Sequence, residues 1–556
     1  MSLVTALLFF AKLLAALVSL LLLRGIVWLV NLLVIAPLRD PLRNLPGPDG
    51  GAFETHFSSV NDPDITPEVY HSWTARFGKT FRYNGFGRHD YRLMSFDLRV
   101  LTHVLSSPQY VKPWQTRSFL RRLLGRGVFT MEGSEHRVLR KLIGPVFTQQ
   151  AVKNMAPIFF QKSEELCDRW DALIASSSDS PATLTLDVSH WVSRTTFDIF
   201  GLAGLDYHFN ALLDESEAVY SAYRTMFAIS DRSSQMRVLK QLYLPIIERI
   251  WPDEADRTTQ RCLKTIRDSG MALIQAKRQA MLAEKIDFHS EDKDVLSLLI
   301  KANLATDSAS RLSDQDLLDQ LSSFLFAGSD STALTITWCL RFLSLYPEMQ
   351  QRLRDEILES GASASRIVDA LDALPYLDAI VHETLRFCPP VHGTIRTATT
   401  DDLIPISSSV TLRDGTVLSA TEHIPIRRGT FIHIPIEGVN MSEDIWGPDA
   451  RVYNPERWLP SSSSEKRAPG PAQPFPGLAN VLTFSFGRSS CPGWRFALLQ
   501  AKIVLAALVR QYAFEPVPGA EIGMYNSVLT KPFVRKDGRC ASEGVELPLR
   551  VSRVRE

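Results

Sequence analysis

The segment Phe484-Ser485-Phe486-Gly487-Arg488-Ser489-Ser490-Cys491-Pro492-Gly493 is a glycine-punctuated loop that runs straight into an apolar helical pattern from Trp494 to Leu508. A cysteine just ahead of a helix faces backbone N–H groups that have no partner within the helix, and the helix dipole adds to them. A thiolate is stabilised in such a place. Gly487 and Gly493 remove side chains where a flat group must come close to the backbone. A purely structural cysteine could occupy the same loop, so the rest of the chain decides between the two.

Three other stretches carry chemistry that stands out from its surroundings. Glu383-Thr384-Leu385-Arg386 lies in a helical pattern from Tyr376 to Phe387, where the three-residue spacing sets carboxylate and guanidinium on one face. Asn454-Pro455-Glu456-Arg457-Trp458 follows it. The segment from Ser313 to Tyr346 reads as a long buried helix, with Ser313 as N-cap and apolar residues at Leu317, Leu318, Leu321, Phe324 and Leu325. Inside it, the cluster Ala327-Gly328-Ser329-Asp330-Ser331-Thr332 weakens a helix interior. Such a cluster marks either a close helix crossing or a local distortion, of the π-bulge kind, that opens a groove. Nearer the N-terminus, His136 and Arg140 stand one helical turn apart in Glu132–Arg140, a spacing that a solvated basic helix also shows.

Together these segments resemble the cytochrome P450 superfamily, in the family's order and across roughly residues 45–550. Phe484, Gly487, Cys491 and Gly493 match its haem-binding signature F-x-x-G-x-R-x-C-x-G. The resemblance implies haem b, with the Cys491 thiolate as the axial ligand to iron. Ser489 stands in the signature's arginine slot, and Arg488, one residue earlier, is the candidate substitute contact to a haem propionate. His136, Arg140 and Arg396 match further propionate-binding positions, with histidine at 136 where the family usually has tryptophan. Glu383, Arg386 and Arg457 match the structural triad that clamps the loop behind the haem. Asp330 falls on the acid of the A-G-x-D/E-T-T segment over the distal face; Ser331 takes the usual threonine's place and Thr332 follows, so these three are the candidate proton relay. Lys293–Ile300 and Trp446-Gly447-Pro448-Asp449-Ala450 look like fungal microsomal members.

The chain has 556 residues, and its 61 basic and 61 acidic residues cancel, which argues against a nucleic-acid partner. Its six cysteines lack C-x-x-C spacing, which argues against zinc, iron–sulfur or a disulfide framework. Leu3–Leu23 and Ile26–Leu38 are apolar enough to span a bilayer, as one span with an interfacial segment or as two. Arg39 and Arg43 favour a cytosolic catalytic domain. The expected organisation is a membrane anchor over 1–38, a proline-rich hinge over 39–52 around Leu45-Pro46-Gly47-Pro48, and one large haem domain over 53–556. Its fold class is mainly α with small β-sheets. Helical patterns cover 155–175, 213–230 and 263–284; strands cluster in 79–96 and 410–436, with a hairpin turn at Arg413-Asp414-Gly415; and 460–480 reads as a surface loop.

The resemblance then implies a monooxygenase that oxidises a small apolar molecule with O2 and electrons from an NADPH-dependent cytochrome P450 reductase. A single-pass anchor would hold it at the endoplasmic reticulum membrane. Phe324, Ala327, Val391, Thr394 and Val528 are the expected pocket residues. Terpenoid or other secondary-metabolite oxidation is the favoured use, with xenobiotic or fatty-acid oxidation as the alternative. A reductase-independent haem-thiolate isomerase is the competing reaction class, but it commonly lacks the acid–alcohol pair kept here at Asp330 and Ser331.

Overall fold

Ser313 is the N-cap of a 32-residue helix. Its hydroxyl accepts from the Asp316 N–H while the Asp316 carboxylate accepts from the Ser313 N–H, a capping box that starts the helix Asp314–Leu345. At 1.5 Å per residue this helix is about 48 Å long. The computed structural model describes residues 3–51, 53–176, 183–283, 294–305, 312–360, 374–460, 477–536, 539–540 and 544–554. These fall into two compact units, Met1–Val111 with Thr394–Pro435, and Lys112–Gly393 with Ile436–Glu556.

In the second unit the long helix crosses Val188–Leu205 so closely that a Cβ on Gly328 would lie 2.2 Å from the Phe200 ring. The cluster at 327–332 is therefore a close crossing. The distortion expected as its alternative is absent: the helix is regular α throughout, and the Ser329 and Ser331 hydroxyls each donate at 2.6 Å to the carbonyl one turn back, Leu325 and Ala327. Small residues here let the backbones approach, and that outweighs their poor helix propensity. Helix Pro375–Phe387 starts on a proline at its first position and packs on the same long helix, where Cys339 Sγ lies 3.3 Å from Thr384 Oγ1. Helix Gln149–Ser176 meets Trp494–Gln511 through an edge-to-face pair, Phe159 and Phe496, 4.9 Å apart. Helix Ala218–Asp231 begins later than the pattern over 213–230 suggests, because the Glu217 carboxylate caps Val219 and Tyr220. Glu254–Ala283 extends the helix expected over 263–284 toward its N-terminus.

Two antiparallel sheets complete this unit. One orders Tyr512–Pro516, Pro548–Arg553 and Thr183–Asp187; the other joins Ile522–Asn526, Thr530–Lys536 and Arg539–Cys540. They add to the two strand clusters expected from the sequence.

The first unit carries a five-stranded sheet in the order Thr80–Asn84, Tyr91–Ser95, Phe431–Ile434, Thr394–Ala398, Tyr110–Val111. All pairings are antiparallel except that of 431–434 with 91–95. The expected hairpin is present, with Val410–Thr411 on Val417–Leu418 and Gly415 at φ +87° in its turn. Leu3–Val30 continues through Asn31–Ile35 into Ala36–Arg39, so the two apolar stretches form one helix; its segment Lys12–Arg39 is long and apolar enough to cross a membrane. The loop expected at 460–480 lies mostly outside the described residues, as does Lys293.

Candidate active site

Cys491 lies on a tight return of the chain. Its N–H donates to the Phe484 carbonyl at 2.8 Å, closing a loop in which Ser485 and Gly487 both take positive φ, 58° and 66°. Gly487 is thus required by backbone conformation as well as by space. Gly493, at φ −90°, is the cap of helix Trp494–Gln511, and a Cβ there would meet only the Phe147 ring at 3.5 Å, so nothing in the protein bars a side chain. Phe484 is buried beneath the loop, and Cys491 itself is half-buried. Burial pushes the Cys491 thiol up to about 11, against the Gly493 N–H bonded to the sulfur and the charge of Arg140. The Gly493 N–H and Arg140 thus favour the thiolate while burial opposes it, and a metal bound to the sulfur would favour it further.

His136 and Arg140 share a face of helix Gly133–Ile143. Burial, with the charges of Lys112, Arg140 and Arg488 outweighing that of Glu132, pushes His136 down to about 4. The imidazole is neutral at ordinary pH and can still donate one N–H. Arg140 is desolvated, which pushes its pKa down, and Cys491 pulls it up. Arg488, in the turn Gly487–Ser489, is near enough to act on His136, so the loop delivers it to the same side as the basic helix. Among the described residues none of these three side chains has a hydrogen-bond or ion-pair partner. A buried imidazole with two half-buried guanidinium groups beside a half-open thiol fits a ligand that brings both a metal and carboxylates, which is the make-up of haem. Arg396 and Thr394 lie on the strand Thr394–Ala398 of the other unit, where Arg396 is buried and donates to Thr394 Oγ1 at 2.8 Å.

The Glu383 carboxylate is wholly buried and accepts five hydrogen bonds. Arg386 gives two, at 2.8 and 2.7 Å; Arg457 Nε gives one at 3.2 Å; the Asn454 N–H gives one at 2.7 Å; and Trp458 Nε1 gives one at 2.9 Å. Arg386 reaches on to the carbonyls of Asn440, Ala450 and Val452. The Asn440 side chain then holds the Leu482 N–H and the Thr483 hydroxyl, in the two residues that immediately precede the return at Phe484. The three charged residues expected together are together. Trp458, Asn440 and Thr483 join them without any signal in residue spacing, since each is fixed by long-range packing.

On the long helix, Asp330 is half-buried and Thr332 is buried with its hydroxyl unpartnered. Burial raises the Asp330 pKa above the ordinary carboxylate value, Lys531 and Arg224 pull it down, and Asp231 pushes it up. Nothing in residue spacing marks Lys531, Arg224 or Asp231 for an effect on Asp330. Phe324 is buried and Ala327 half-buried on the same helix. Val391 and Val528 lie on neighbouring turns, tied by the Thr530 N–H to the Pro390 carbonyl at 2.8 Å.

A cysteine-bearing return under a basic helix, braced by a buried Glu–Arg pair and accompanied by an acid and hydroxyls on one long helix, defines a haem-thiolate oxygenase. The cytochrome P450 family model matches residues 46–533. Cytochrome P450 monooxygenase 205 of Postia placenta is 36% identical across 94% of this chain and 95% of its own length. Cytochrome P450 monooxygenase 128 of the same fungus is 34% identical across 94% of each. Cytochrome P450 monooxygenase claP of Ampulloclitocybe clavipes is 32% identical across 89% and 90%. The chain belongs to the cytochrome P450 family and is a monooxygenase that uses haem b with an axial cysteine thiolate, dioxygen and a redox partner.

Proposed function

We propose that this enzyme oxidises a small apolar molecule of secondary metabolism, of terpenoid type, with electrons from an NADPH-dependent cytochrome P450 reductase. Cys491 is the iron ligand, and the helix Lys12–Arg39 is a single-pass anchor at the endoplasmic reticulum that keeps residues 53–556 as a cytosolic haem domain. Haem supplies oxygen activation when bound. The protein's residues hold and surround it. Arg140, Arg488 and the N–H of His136 meet the propionates, while Glu383, Arg386 and Arg457 brace the loop that presents the sulfur. Asp330 takes protons in from the charged groups behind it and passes them on through Ser331 and Thr332. Val391, Val528, Phe324 and Ala327 exclude water and position the substrate.

The observation that carries the reading is Asp330. Its burial keeps a carboxylic acid able to hold a proton on the helix that also bears the Ser331 and Thr332 hydroxyls. An isomerase has no use for that arrangement. The test is turnover of an apolar panel, terpenoids and fatty acids included, by the purified full-length enzyme with NADPH and reductase. Product that requires NADPH and falls sharply in Asp330→Asn is expected. Reductase-independent conversion would refute the reading, and turnover of fatty acids alone would refute the substrate class.

A further inference from the structure

The core around Trp338 is unusual in its composition. Trp338, Phe342, Cys388 and Tyr453 are buried together, and Tyr346, Met349, Phe387 and Met524 pack against them. Thiols and thioethers oxidise readily, and indole and phenol rings are the other side chains that give up an electron, so only the two phenylalanines of this group are inert. Leucine and phenylalanine would fill the same space, so packing alone does not call for these residue types. The rings follow one another in a file. Trp338 and Phe342 have centroids 6.4 Å apart, Phe342 and Tyr453 stack at 4.1 Å, and Tyr453 and Tyr346 lie 6.2 Å apart with planes 5° from parallel. At the inner end, Trp338 follows Thr332 on the same helix, about 9 Å further along its axis. Its Nε1–H donates at 3.5 Å to the carbonyl of Thr530, the residue whose N–H holds the Pro390 carbonyl beside Val391. At the outer end, Tyr346 is the half-buried C-cap of that helix.

We propose that this file of rings is an electron path with a protective function: Trp338 and Tyr346 discharge oxidising equivalents that the monooxygenase generates and no substrate consumes. Trp338 gives one electron to the oxidised site, which is reduced by it, and keeps its Nε1 proton because a carbonyl oxygen is too weak a base to take it. Tyr346 then returns an electron to Trp338 and releases its phenolic proton to water, which its partial exposure allows. Tyr453 Oη lies 2.9 Å from Thr384 Oγ1 and 3.4 Å from the Ile380 carbonyl, neither of them a base. Its proton has no outlet, so its ring and that of Phe342 bridge the two donors rather than hold the radical. A soluble thiol gives a hydrogen atom to the Tyr346 phenoxyl. Two such passages reduce one unused oxygen atom to water, and the two thiyl radicals left behind couple as a disulfide. Cys388 and Met524, with sulfurs 3.9 Å apart, flank the path and are what a blocked path oxidises.

The test runs the purified full-length haem enzyme with reductase, NADPH and catalase, without substrate, in the presence of a nitroso spin trap. Peptide mass spectrometry then locates trap adducts and oxidised side chains, with yields normalised to NADPH consumed. Wild-type enzyme is expected to carry the adduct on Tyr346, and added thiol to erase it. Trp338→Phe removes the inner donor and leaves Tyr346 in place, yet the adduct should be lost. Tyr346→Phe removes a single hydroxyl and should drive oxidation inward, with Trp338 oxidation products and Met524 sulfoxide rising severalfold over wild type. A core that only packs would show neither change. An adduct that survives in Trp338→Phe, or that is absent from the wild type, overturns the proposal, as does unchanged inner oxidation in Tyr346→Phe. Should Trp338→Phe not fold, the result with Tyr346→Phe decides alone.

Discussion

Replacing Arg386 by leucine should be far more damaging than replacing Arg457 by leucine, although both contact Glu383. Arg386 has no exposed surface. Its loss removes two charge-assisted bonds to Glu383, each worth about 1.5–3 kcal/mol, and leaves the buried carbonyls of Asn440 and Ala450 without that donor at about 1–3 kcal/mol each. The low end of that sum is about 5 kcal/mol, comparable with the whole stability of many domains. Arg457 differs in two ways. Glu383 keeps Arg386, the Asn454 N–H and Trp458 when Arg457 goes. Its other carboxylate partner, Asp449, has a side chain 44% exposed and can be hydrated instead. The expected cost is about 1.5–3 kcal/mol. The assay is the carbon monoxide difference spectrum of the reduced full-length protein, normalised to protein by quantitative immunoblot, with a denaturant midpoint for whatever folds. Arg386→Leu should give no haem-thiolate signal, and Arg457→Leu a clear signal with a lowered midpoint. Haem content in Arg386→Leu at half the wild-type level or more, or an equal loss in both variants, would refute the reasoning.

Other perturbations test single contacts. Arg488→Ala should weaken haem retention on gel filtration and leave the thiolate spectrum of the remaining holoenzyme intact; unchanged haem content would show that Arg488 does not replace the missing arginine. Gly328→Ala puts a methyl into the Phe200 ring and should lower stability by about 1–3 kcal/mol, with Phe200→Leu restoring part of it in denaturant titrations; equal loss with and without Phe200→Leu would place the strain elsewhere. Glu437 is buried with one carboxyl oxygen unpartnered, and burial pushes its pKa up to about 8. The folded acid keeps its proton up to that pH while the unfolded one releases it near 4.3, so stability is lost as pH rises between the two values. Glu437→Gln should therefore raise the melting temperature more at pH 8.5 than at pH 4.5, and an equal effect at both would contradict it.

How much was legible in the sequence depended on whether a feature was local. The cap at Ser313, the turn at Gly415 and the pairing of Glu383 with Arg386 are set within a few residues, and spacing alone reveals them. Gly328 was ambiguous because a small residue in a helix permits either a close crossing or a bulge, and only the partner, Phe200, decides between them. The sheets formed by 183–187 and the strands after 511 were not read, since their pairings join segments far apart in sequence. Lys531 and Asp231 carry no local mark for the same reason: each is an ordinary charge until strand Thr530–Lys536 and the end of helix Ala218–Asp231 meet.

The N-terminal helix was readable as apolar, but its continuity was not. Arg24 and Gly25 interrupt the hydrophobic run, and hydropathy treats such a break as a possible turn. In the structure the helix passes through both, because one glycine costs a helix only about 1 kcal/mol.

The position of the cysteine before a helix stabilises a thiolate through the Gly493 N–H, with the charge of Arg140 adding to it, while burial opposes both and pushes the thiol up to about 11. Beside these opposing effects the fold fixes the geometry of the loop. The path is continuous: Glu383 fixes Arg386, Arg386 fixes the backbone at Asn440, Asn440 fixes Leu482 and Thr483, and the Phe484 carbonyl fixes the Cys491 N–H. A protonated, correctly aimed thiol surrendering its proton to an incoming metal makes haem loading release a proton, so affinity should rise with pH below about 11. An ionised thiol in the empty protein would remove that dependence, and an ultraviolet thiolate titration of the haem-free chain against Cys491→Ser distinguishes the two.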